Sequence, residues 1–418
     1  MLWAGLAASV AFGVMGTLDD GSLQRADHLL LDTYLRHTAN GKPAQTTVVV
    51  DIDDVSLAAV GQWPWPRYRI AALIQTIAEK RPAAIGIDVL FAEPDQTSLN
   101  NIRQSFKREF GLDLSFAGAP AGLMDNDGFL GHVLAVSGAV GCRYFYFDHV
   151  SRTPLPPDPE FRFDGRLDLL RLEDAPGVLD NTGRIASQLK FSGHMNTRAD
   201  SDGLLRRLPL LLQHRGRIYP HLSLATFLRA KGLDSAVIED SFAGPVLKAG
   251  TAAVPIDGRG YAIPRLNGVP SLYPAISAVD VLNGSFGDQD IQGKVVFVGS
   301  SAAALNDIHQ TIFDSQFSGL RMLAAIGEDM ATGGFVREPS WGKAVILAAC
   351  LVSGMLVVVG FVIYASPLRL WLATMVLVAA LPLMSLWAIS SAGLFVSPVA
   401  PVLKRSPTGS SEIGRAHV

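Results

Sequence analysis

Three carboxylates lie within or directly after an apolar run in the first part of the chain. Residues 48–55 read VVVDIDDV and contain Asp51, Asp53 and Asp54. An apolar strand carrying Asp-x-Asp suits metal-dependent phosphoryl transfer, in which one carboxylate attacks phosphorus, the next handles the leaving-group proton and Mg²⁺ neutralises charge. That chemistry also needs a lysine and a further acidic pair, and no convincing set follows. We therefore interpret these aspartates as strand-end or turn-forming residues.

A second group of candidates follows at residues 63–67, which read WPWPR. Trp65 and its neighbour Trp63 could form an aromatic ligand cradle, but tryptophans between prolines also serve to wedge a loop onto a core. Arg67 could meet Asp53 or Asp88 at the carboxyl end of a parallel sheet, where ligands bind in open α/β folds. The alternative for Arg67 is a purely structural ion pair.

Two further candidates lie later in the chain. Arg206 follows Asp202 and Gly203 and could hold an anion, since guanidinium groups suit phosphate and carboxylate; the alternative is a turn with solvated charges. Ser300 follows an apolar strand as in a phosphate loop, but the Gly-Lys-Ser/Thr ending is missing. No metal or other cofactor is indicated, because the histidines have no metal-ligand spacing and are interpreted as core or surface residues: His194, His214, His221 and His309.

The elements that must position these residues have the pattern of an α/β domain. Apolar runs typical of strands covered on both faces occur at residues 47–52 (TVVVDI), 84–91 (AIGIDVLF) and 295–298 (VVFV). Between the first two, apolar residues recur at i, i+3, i+4 and i+7 from Ile70, which predicts a helix. We therefore predict a parallel sheet whose strands come from both ends of the domain. Pro220 and Pro274 are each expected to begin a helix, and residues 154–183 to form a surface insertion.

Composition places part of the chain in lipid. Of all residues 49% are apolar and 17% are charged, and the net charge of -3 gives no nucleic-acid footprint. Residues 344–403 contain a single charged side chain, Arg369. We predict transmembrane helices at residues 344–368 and 370–390, the start of a truncated third at 394–403, and a transmembrane or signal-anchor helix at 1–18. With Arg369 in a cytoplasmic turn, the domain at residues 19–340 is expected to lie outside the cytoplasm.

The two ends of the chain carry separate expectations. Residues 412–418 read EIGRAHV, a string that a common sequencing adapter encodes, so residues 407–418 are expected to be a non-native tail. The two cysteines, Cys142 and Cys350, fall in the predicted domain and in a predicted span, so no disulfide within the domain is expected. The true N- and C-termini are left open.

Five ordered blocks resemble the CHASE type-two family, an extracellular sensory domain associated with cyclases and histidine kinases. They are VVVDIDDVSLAAVGQWPWPR at 48–67, AAIGIDVLFAEPD at 83–95, DGLLRRLPL at 202–210, YPAISAVDVLNG at 273–284 and GKVVFVGSSAAALND at 293–307. With the closing cluster of apolar segments, the likeness covers residues 19–403. Residues 318–325 (SGLRMLAA) depart from the more regular helix entry that the family usually shows.

The resemblance implies a transmembrane signal receptor of the inner membrane, with a large periplasmic or extracellular domain of α/β fold and a parallel-type sheet. It also implies a homodimer and an output module that this sequence lacks: an adenylate or guanylate cyclase, a histidine kinase or a Ser/Thr kinase. Whether the fragment itself is an enzyme stays open. Expected partners are an external stimulus or small ligand and the lipid bilayer, without nucleic acid. The alternative function is an extracytoplasmic metal-dependent phosphatase-like hydrolase.

Overall fold

The computed structural model describes residues 22–151, 160–302, 308–342 and 383–396, with single residues at 344, 345, 348, 376 and 380. The chain divides into two units, residues 38–337, which we call the body, and residues 1–37 together with 338–418. In the described part of the chain the helices are α1 Ser22–Thr38, α2 Asp54–Val60, α3 Arg67–Glu79, α4 Leu99–Phe110, α5 Ala121–Met124, α6 Asn126–Ser137, α7 Gly183–Ala186, α8 Leu222–Ala230, α9 Ala278–Asn283 and α10 Gly319–Thr332, and residues 383–392 are also helical.

The strands of the same described residues are short and mostly buried. They are β1 Thr47–Asp51, β2 Ala84–Ile87, β3 Val140–Tyr146, β4 Arg162–Gly165, β5 Gly177–Leu179, β6 Phe191–His194, β7 Leu208–Pro209, β8 Leu211–His214, β9 Arg217–Pro220, β10 Ser235–Ser241, β11 Gly244–Ala249, β12 Ala252–Pro255, β13 Tyr261–Pro264, β14 Ala275–Ser277, β15 Val295–Gly299, β16 Ile308–His309, β17 Phe317–Ser318 and β18 Phe335–Val336.

The central sheet has the order β14-β1-β15-β2-β3-β5, and β6 pairs with β3. All of these pairs are parallel except β3 with β5. β15 comes some 200 residues after β2 in sequence and lies between β1 and β2. The predicted parallel sheet built from both ends of the domain is therefore confirmed. We call the side where its parallel strands end the carboxyl edge and the opposite side the amino edge.

Each central strand sends alternate side chains into two different cores, as a sheet covered on both faces requires. On β1, Val48 and Val50 join one core with α3 and α6, whereas Val49 joins the other with α8 and α10. On β2 the face toward α8 carries Gly86, where an added Cβ would lie 2.5 Å from the Thr226 hydroxyl oxygen. Glycine is required there because α8 approaches the sheet closely.

Smaller sheets complete the body. β12, β11, β10 and β4 form a four-stranded sheet, β18, β13 and β7 a three-stranded one, and β8 and β9 an antiparallel hairpin. Strands β4 and β5 fall within the predicted surface insertion at residues 154–183, so that prediction is wrong for residues 162–165 and 177–179; residues 152–159 lie outside the described residues. Apolar Phe163 and Val178, both buried, explain why these segments pair.

Two other sequence predictions need correction. The strand predicted at 84–91 ends at Ile87, because Asp88 and the residues after it leave the sheet. Pro274 does not begin a helix: Ala275–Ser277 pairs with β1 as a strand, and α9 starts only after Ser277. Helix α3 is confirmed at Arg67–Glu79. The helix predicted from Pro220 forms at Leu222–Ala230, because Pro220 itself ends β9.

In the other unit, Tyr34 of α1 meets Phe395 edge-on, with ring centroids 6.0 Å apart. Among the described residues, no helix combines the length and apolar character that a membrane crossing needs. The predicted spans at 1–18 and 344–368 lie outside the described residues, apart from single positions in the second; about half of the span at 370–390 is described, and its residues 383–390 are helical. The helix predicted to begin at Leu394 does not: residues 394–396 are not helical, and 397–418 are not described.

Candidate functional site

Polar side chains from three neighbouring strands meet at the carboxyl edge. Because β1, β14 and β15 are parallel and in register, Asp51 lies opposite both Gly299 and Ser277. The next residues of each strand therefore project from the same edge, where open α/β folds bind ligands. Asp88 follows β2 at this edge, and its Cβ would be 3.1 Å from a Cβ added to Gly299.

Asp51 forms the buried centre of this edge. The Ser301 backbone N–H donates to its Oδ1 at 2.9 Å, and the Ser301 hydroxyl donates to Oδ2 at 2.5 Å. Burial raises the pKa of Asp51 and the nearby Asp53 charge adds to the rise, while the Ser301 bonds and the Arg321 guanidinium oppose it. Since both carboxylate oxygens accept bonds from Ser301, the geometry favours the structural interpretation of Asp51 over that of an attacking nucleophile.

Asp53 is held as a helix cap. Its carboxylate accepts the Ser56 N–H at 2.8 Å, which satisfies the first turn of α2, and the Ser277 hydroxyl at 2.8 Å. The Ser56 and Ser277 hydroxyls also lie 2.8 Å apart. Burial alone would raise the pKa of Asp53, but the bonds from Ser56 and Ser277 lower it overall. Asp53 therefore carries a stabilised negative charge that ties α2 to β14.

Ser300 turns its side chain back to β1. Its hydroxyl donates to the Ile52 carbonyl at 2.6 Å and accepts the Ala302 N–H at 3.2 Å. Residues 303–307, which follow, lie outside the described residues. Ser300 and Ser301 together fix the loop after β15 to the end of β1.

Arg67 pairs differently from the sequence prediction. Its Nε lies 3.4 Å from Asp127 Oδ1, its backbone N–H donates to Asp95 Oδ2 at 2.8 Å, and its guanidinium carbon lies 4.8 Å from the Phe91 ring centre. The predicted meeting with Asp53 or Asp88 is thus wrong, because the loop after β2 and the start of α6 bring two other carboxylates to Arg67. Burial raises the pKa of Asp127.

Trp65 and Arg206 also have local partners. Trp65 is 1% exposed, and its indole N–H donates to the Gly61 carbonyl at 2.8 Å, which fits the wedge interpretation. Arg206 contacts the carboxylates of Asp200 at 3.1 Å and Asp202 at 2.8 Å. The structure therefore brings together Asp53, Asp88 and Ser300 at the carboxyl edge, and it shows Trp65, Arg67 and Arg206 in separate contacts.

Helix α10 adds a residue that sequence reasoning missed. Ser318 caps the helix by accepting the Arg321 N–H at 3.4 Å, and the Arg321 guanidinium donates to the Pro270 carbonyl at 3.0 Å. Arg321 acts electrostatically on Asp51. The only sequence signal was the segment SGLRMLAA, whose arginine stands in the first turn of an otherwise apolar helix.

Comparison with known proteins gives one match. No curated protein and no solved structure matches this chain at a significant level. The model of one family, described as the CHASE2 domain, matches residues 7–362, which is most of the chain. This agrees with the resemblance carried by the sequence blocks at the ends of β1, β2 and β15. The chain belongs to the CHASE2 domain family, a family of extracellular sensory domains.

Proposed function

We propose that this chain is the sensory part of a transmembrane receptor, in which a stimulus acting on the body outside the cytoplasm is passed on through membrane helices. The observation that carries the proposal is that one helix, α10, connects the candidate site to both ends of the body. Transmission requires two states of the body that differ in affinity for the stimulus. A helix that contacts both the candidate site and the two ends of the body can couple a change at the site to those ends.

At its first turn, α10 packs against the carboxyl edge: Leu320 Cδ1 would lie 2.9 Å from a Cβ added to Gly299, and the charge of Arg321 acts on Asp51. Two turns later Glu328 reaches the amino edge, where its carboxylate accepts the N–H groups of Gln45 at 3.0 Å and Thr46 at 2.9 Å and the Thr46 hydroxyl at 2.6 Å. These residues lead into β1. The helix therefore fixes the segment by which the chain enters the sheet.

The same end of α10 fixes the segment by which the chain leaves. Asp329 is fully buried and accepts the Leu266 N–H at 2.9 Å and the Asn267 side-chain amide at 2.8 Å. The Gly334 carbonyl accepts the Arg265 N–H at 2.9 Å, and the Asn267 carbonyl accepts the Gly41 N–H at 3.2 Å. Entry and exit of the body thus meet at one loop, residues 265–272, next to the end of α10.

This arrangement fits the predicted topology. Residues 344–368 would form the first span after the body, with a further helix at 370–390 and an anchor at 1–18, in the inner membrane. The family likeness further suggests a homodimer and a cyclase or protein kinase as output. We propose that Asp53 and Asp88 face a small ligand and that Ser300, whose hydroxyl bonds to the Ile52 carbonyl, fixes the loop beside them. Trp65, Arg67 and Arg206 would support neighbouring segments.

The coupling can be tested by removing one hydroxyl at the carboxyl edge. Ser301→Ala deletes the bond to Asp51 Oδ2, and Ser241→Ala, which deletes a hydroxyl bond of 2.7 Å to Gly244 in the β10–β11 hairpin, is the matched control. Hydrogen–deuterium exchange of the full chain in detergent is measured for both. We expect Ser301→Ala to speed exchange in residues 329–337 as well as near residue 301, and Ser241→Ala to leave residues 329–337 unchanged.

An effect of Ser301→Ala confined to the carboxyl edge would overturn the proposal that α10 transmits. Urea unfolding of both variants shows whether the change is local or follows from global destabilisation, because a local opening leaves the global midpoint in place.

A further inference from the structure

Three histidines lie together in the core of the body. His194 ends β6, His214 ends β8 and His221 precedes α8; the first two are 0% and the third 1% exposed. The His194 and His221 ring centroids are 5.2 Å apart, and the Phe145 ring lies 6.2 Å from His194 and 5.5 Å from His214. Histidine is seldom buried in such number without a metal or a hydrogen-bond network.

Most of the ring nitrogens in this cluster have no hydrogen-bond partner among the described residues. Both nitrogens of His194 and the Nε2 atoms of His214 and His221 are without one. His214 Nδ1 lies 2.5 Å from the Ala175 carbonyl, to which it must donate. His221 Nδ1 accepts the Ser223 N–H at 3.3 Å and so must be unprotonated. His221 is therefore uncharged in this geometry, and its Nε2 atom and both nitrogens of His194 lie in the core without a hydrogen-bond partner among the described residues.

Charged and titratable groups surround the cluster on several elements. On β3, Arg143 pairs with Glu160 at 2.7 Å and Asp180 at 2.8 Å; Arg143 and Asp180 are buried, and the Glu160 side chain is 10% exposed. On β9, Tyr219 packs 5.0 Å from Phe145 and experiences the charges of Arg143, Arg217 and Glu160. Arg143 already holds Glu160 and Asp180, so neither is a free counter-charge to a protonated histidine. Arg217 lies opposite His214 in the β8–β9 hairpin, and Asp174 pairs with Gln213, the residue before His214.

We propose that this sensor responds to acidification, and that protonation of the histidine cluster opens the β8–β9 hairpin and the start of α8. The proposal rests on the proposed sensory function and names its stimulus, the proton. An imidazolium cannot stay in an apolar core beside a second histidine 5.2 Å away, so it must move toward water. The short antiparallel hairpin at Leu211–His214 and Arg217–Pro220 covers the cluster and can open without breaking the central sheet.

A route from the cluster to α10 is present in the hydrogen bonds. When His221 takes up a proton at Nδ1, it can no longer accept the Ser223 N–H, and α8 loses its cap. The Ser223 hydroxyl donates to the Leu323 carbonyl in the middle of α10 at 3.3 Å. Release of the first turn of α8 therefore disturbs the helix that holds both ends of the body.

The direction of the pH response follows from burial. Desolvation lowers the pKa of His194 well below its ordinary range, with His221 adding to the effect, and lowers the pKa of His221 to about 3. The closed state is thus stable above the ordinary histidine pKa of about 6.5 and is weakened as pH falls below it. Burial raises the pKa of Glu160, which changes stability in the opposite sense. Only a comparison between variants isolates the histidines.

The test compares full-chain variants at pH 7.5 and 5.5. His194→Phe keeps an aromatic ring, although a larger one, and breaks no side-chain hydrogen bond among the described residues, and His221→Asn keeps a side-chain oxygen that can accept the Ser223 N–H. His132→Asn changes an exposed histidine of α6 and is the control. Hydrogen–deuterium exchange, corrected for the intrinsic rate at each pH, gives the opening constant of β8–β9 and of the start of α8.

We expect the opening constant of the wild type to rise up to about tenfold for each of the two histidines over this interval. The control should rise equally, and the double variant His194→Phe with His221→Asn should lose most of the rise. If the double variant is not folded at pH 7.5, His194→Phe alone should lose about half of the rise on a logarithmic scale.

If the opening constant of the double variant rises between pH 7.5 and 5.5 as much as that of the wild type, the proposal is overturned, whatever effect Ser301→Ala has on α10. Conversely, acid opening of β8–β9 that leaves exchange in α10 unchanged would contradict transmission through α10 while leaving the histidine cluster acid-sensitive. The two failures are therefore distinguishable.

Discussion

Glu328 gives the sharpest test of the link between α10 and the entry to the sheet. It is buried, and its carboxylate accepts three bonds from residues 45 and 46 and a longer one of 3.3 Å from the Thr47 hydroxyl. Replacing it with alanine leaves two backbone N–H groups without their acceptor. Each hydrogen bond to a charged acceptor contributes about 1.5–3 kcal/mol, and the low end applies because Gln45 and Thr46 are exposed and water can replace the carboxylate, so the expected loss in the free energy of unfolding for the two bonds is about 3 kcal/mol.

Two further substitutions calibrate this value. Glu328→Gln keeps one acceptor oxygen and removes the charge, and should cost about 1–3 kcal/mol. Glu239→Ala removes the same residue type from an exposed ion pair with Lys248 at 3.0 Å on β10 and β11. For that surface pair we expect a loss of at most about 1 kcal/mol.

The assay is urea unfolding of the full chain followed by far-UV circular dichroism, with unchanged m-values as the sign that stability alone has changed. A loss for Glu328→Ala no greater than that for Glu239→Ala would refute the reasoning. Such a result would mean that the Glu328 carboxylate does not hold the segment that leads into β1. Helix α10 could then not couple the carboxyl edge and the amino edge of the central sheet through this residue.

Three other predictions follow from buried groups. Burial raises the pKa of Asp329 to about 8. The protonated carboxyl therefore stabilises the fold fully below the ordinary aspartate pKa of 3.8, and this contribution to the free energy of unfolding is lost as pH rises through about 8. Asp329→Asn should flatten the pH dependence of the free energy of unfolding, measured with urea between pH 5 and 9. Arg143→Met should cost about 3–5 kcal/mol, since it leaves Glu160 and Asp180 buried without their cation, and a thermal melt that is unchanged would contradict this. Gly193→Ala would place a Cβ 2.6 Å from the Leu222 Cα. This clash should separate β6 from α8 and lower the melting temperature by several degrees or more. A variant as stable as the wild type would show that the strand and the helix are not in such close contact.

Local patterns in the sequence predict the frame of the body well. β1, β15 and α3 come from uninterrupted apolar runs or helical spacing, which depend on neighbours within a few residues. The shorter extent of β2 was missed because Val89, Leu90 and Phe91 are apolar enough to continue a strand. Their departure from the sheet depends on partners far along the chain, such as the Asn181 side chain, which accepts the Phe91 N–H at 3.0 Å.

The candidate site was predicted only in part, for the same reason. The positions of Asp53 and Ser300 follow from being directly after strands that share one edge. The partners of Arg67 and Asp51 do not, because Asp127 lies 60 residues and Ser301 lies 250 residues further on. The histidine cluster has no spacing signal at all, since β6, β8 and α8 bring its members together only in the folded body.

The proposed receptor requires the body to lie outside the cytoplasm, and cysteine labelling in intact cells tests this directly. Val150 is 72% exposed and the native Cys142 is fully buried, so Val150→Cys in a chain that also carries Cys350→Ser provides a reactive thiol over a low background. Spheroplasts carrying the full chain are treated with a membrane-impermeant maleimide before and after lysis. We expect full labelling of the Val150→Cys, Cys350→Ser variant before lysis and none of the Cys350→Ser variant alone; labelling that appears only after lysis would contradict an external body.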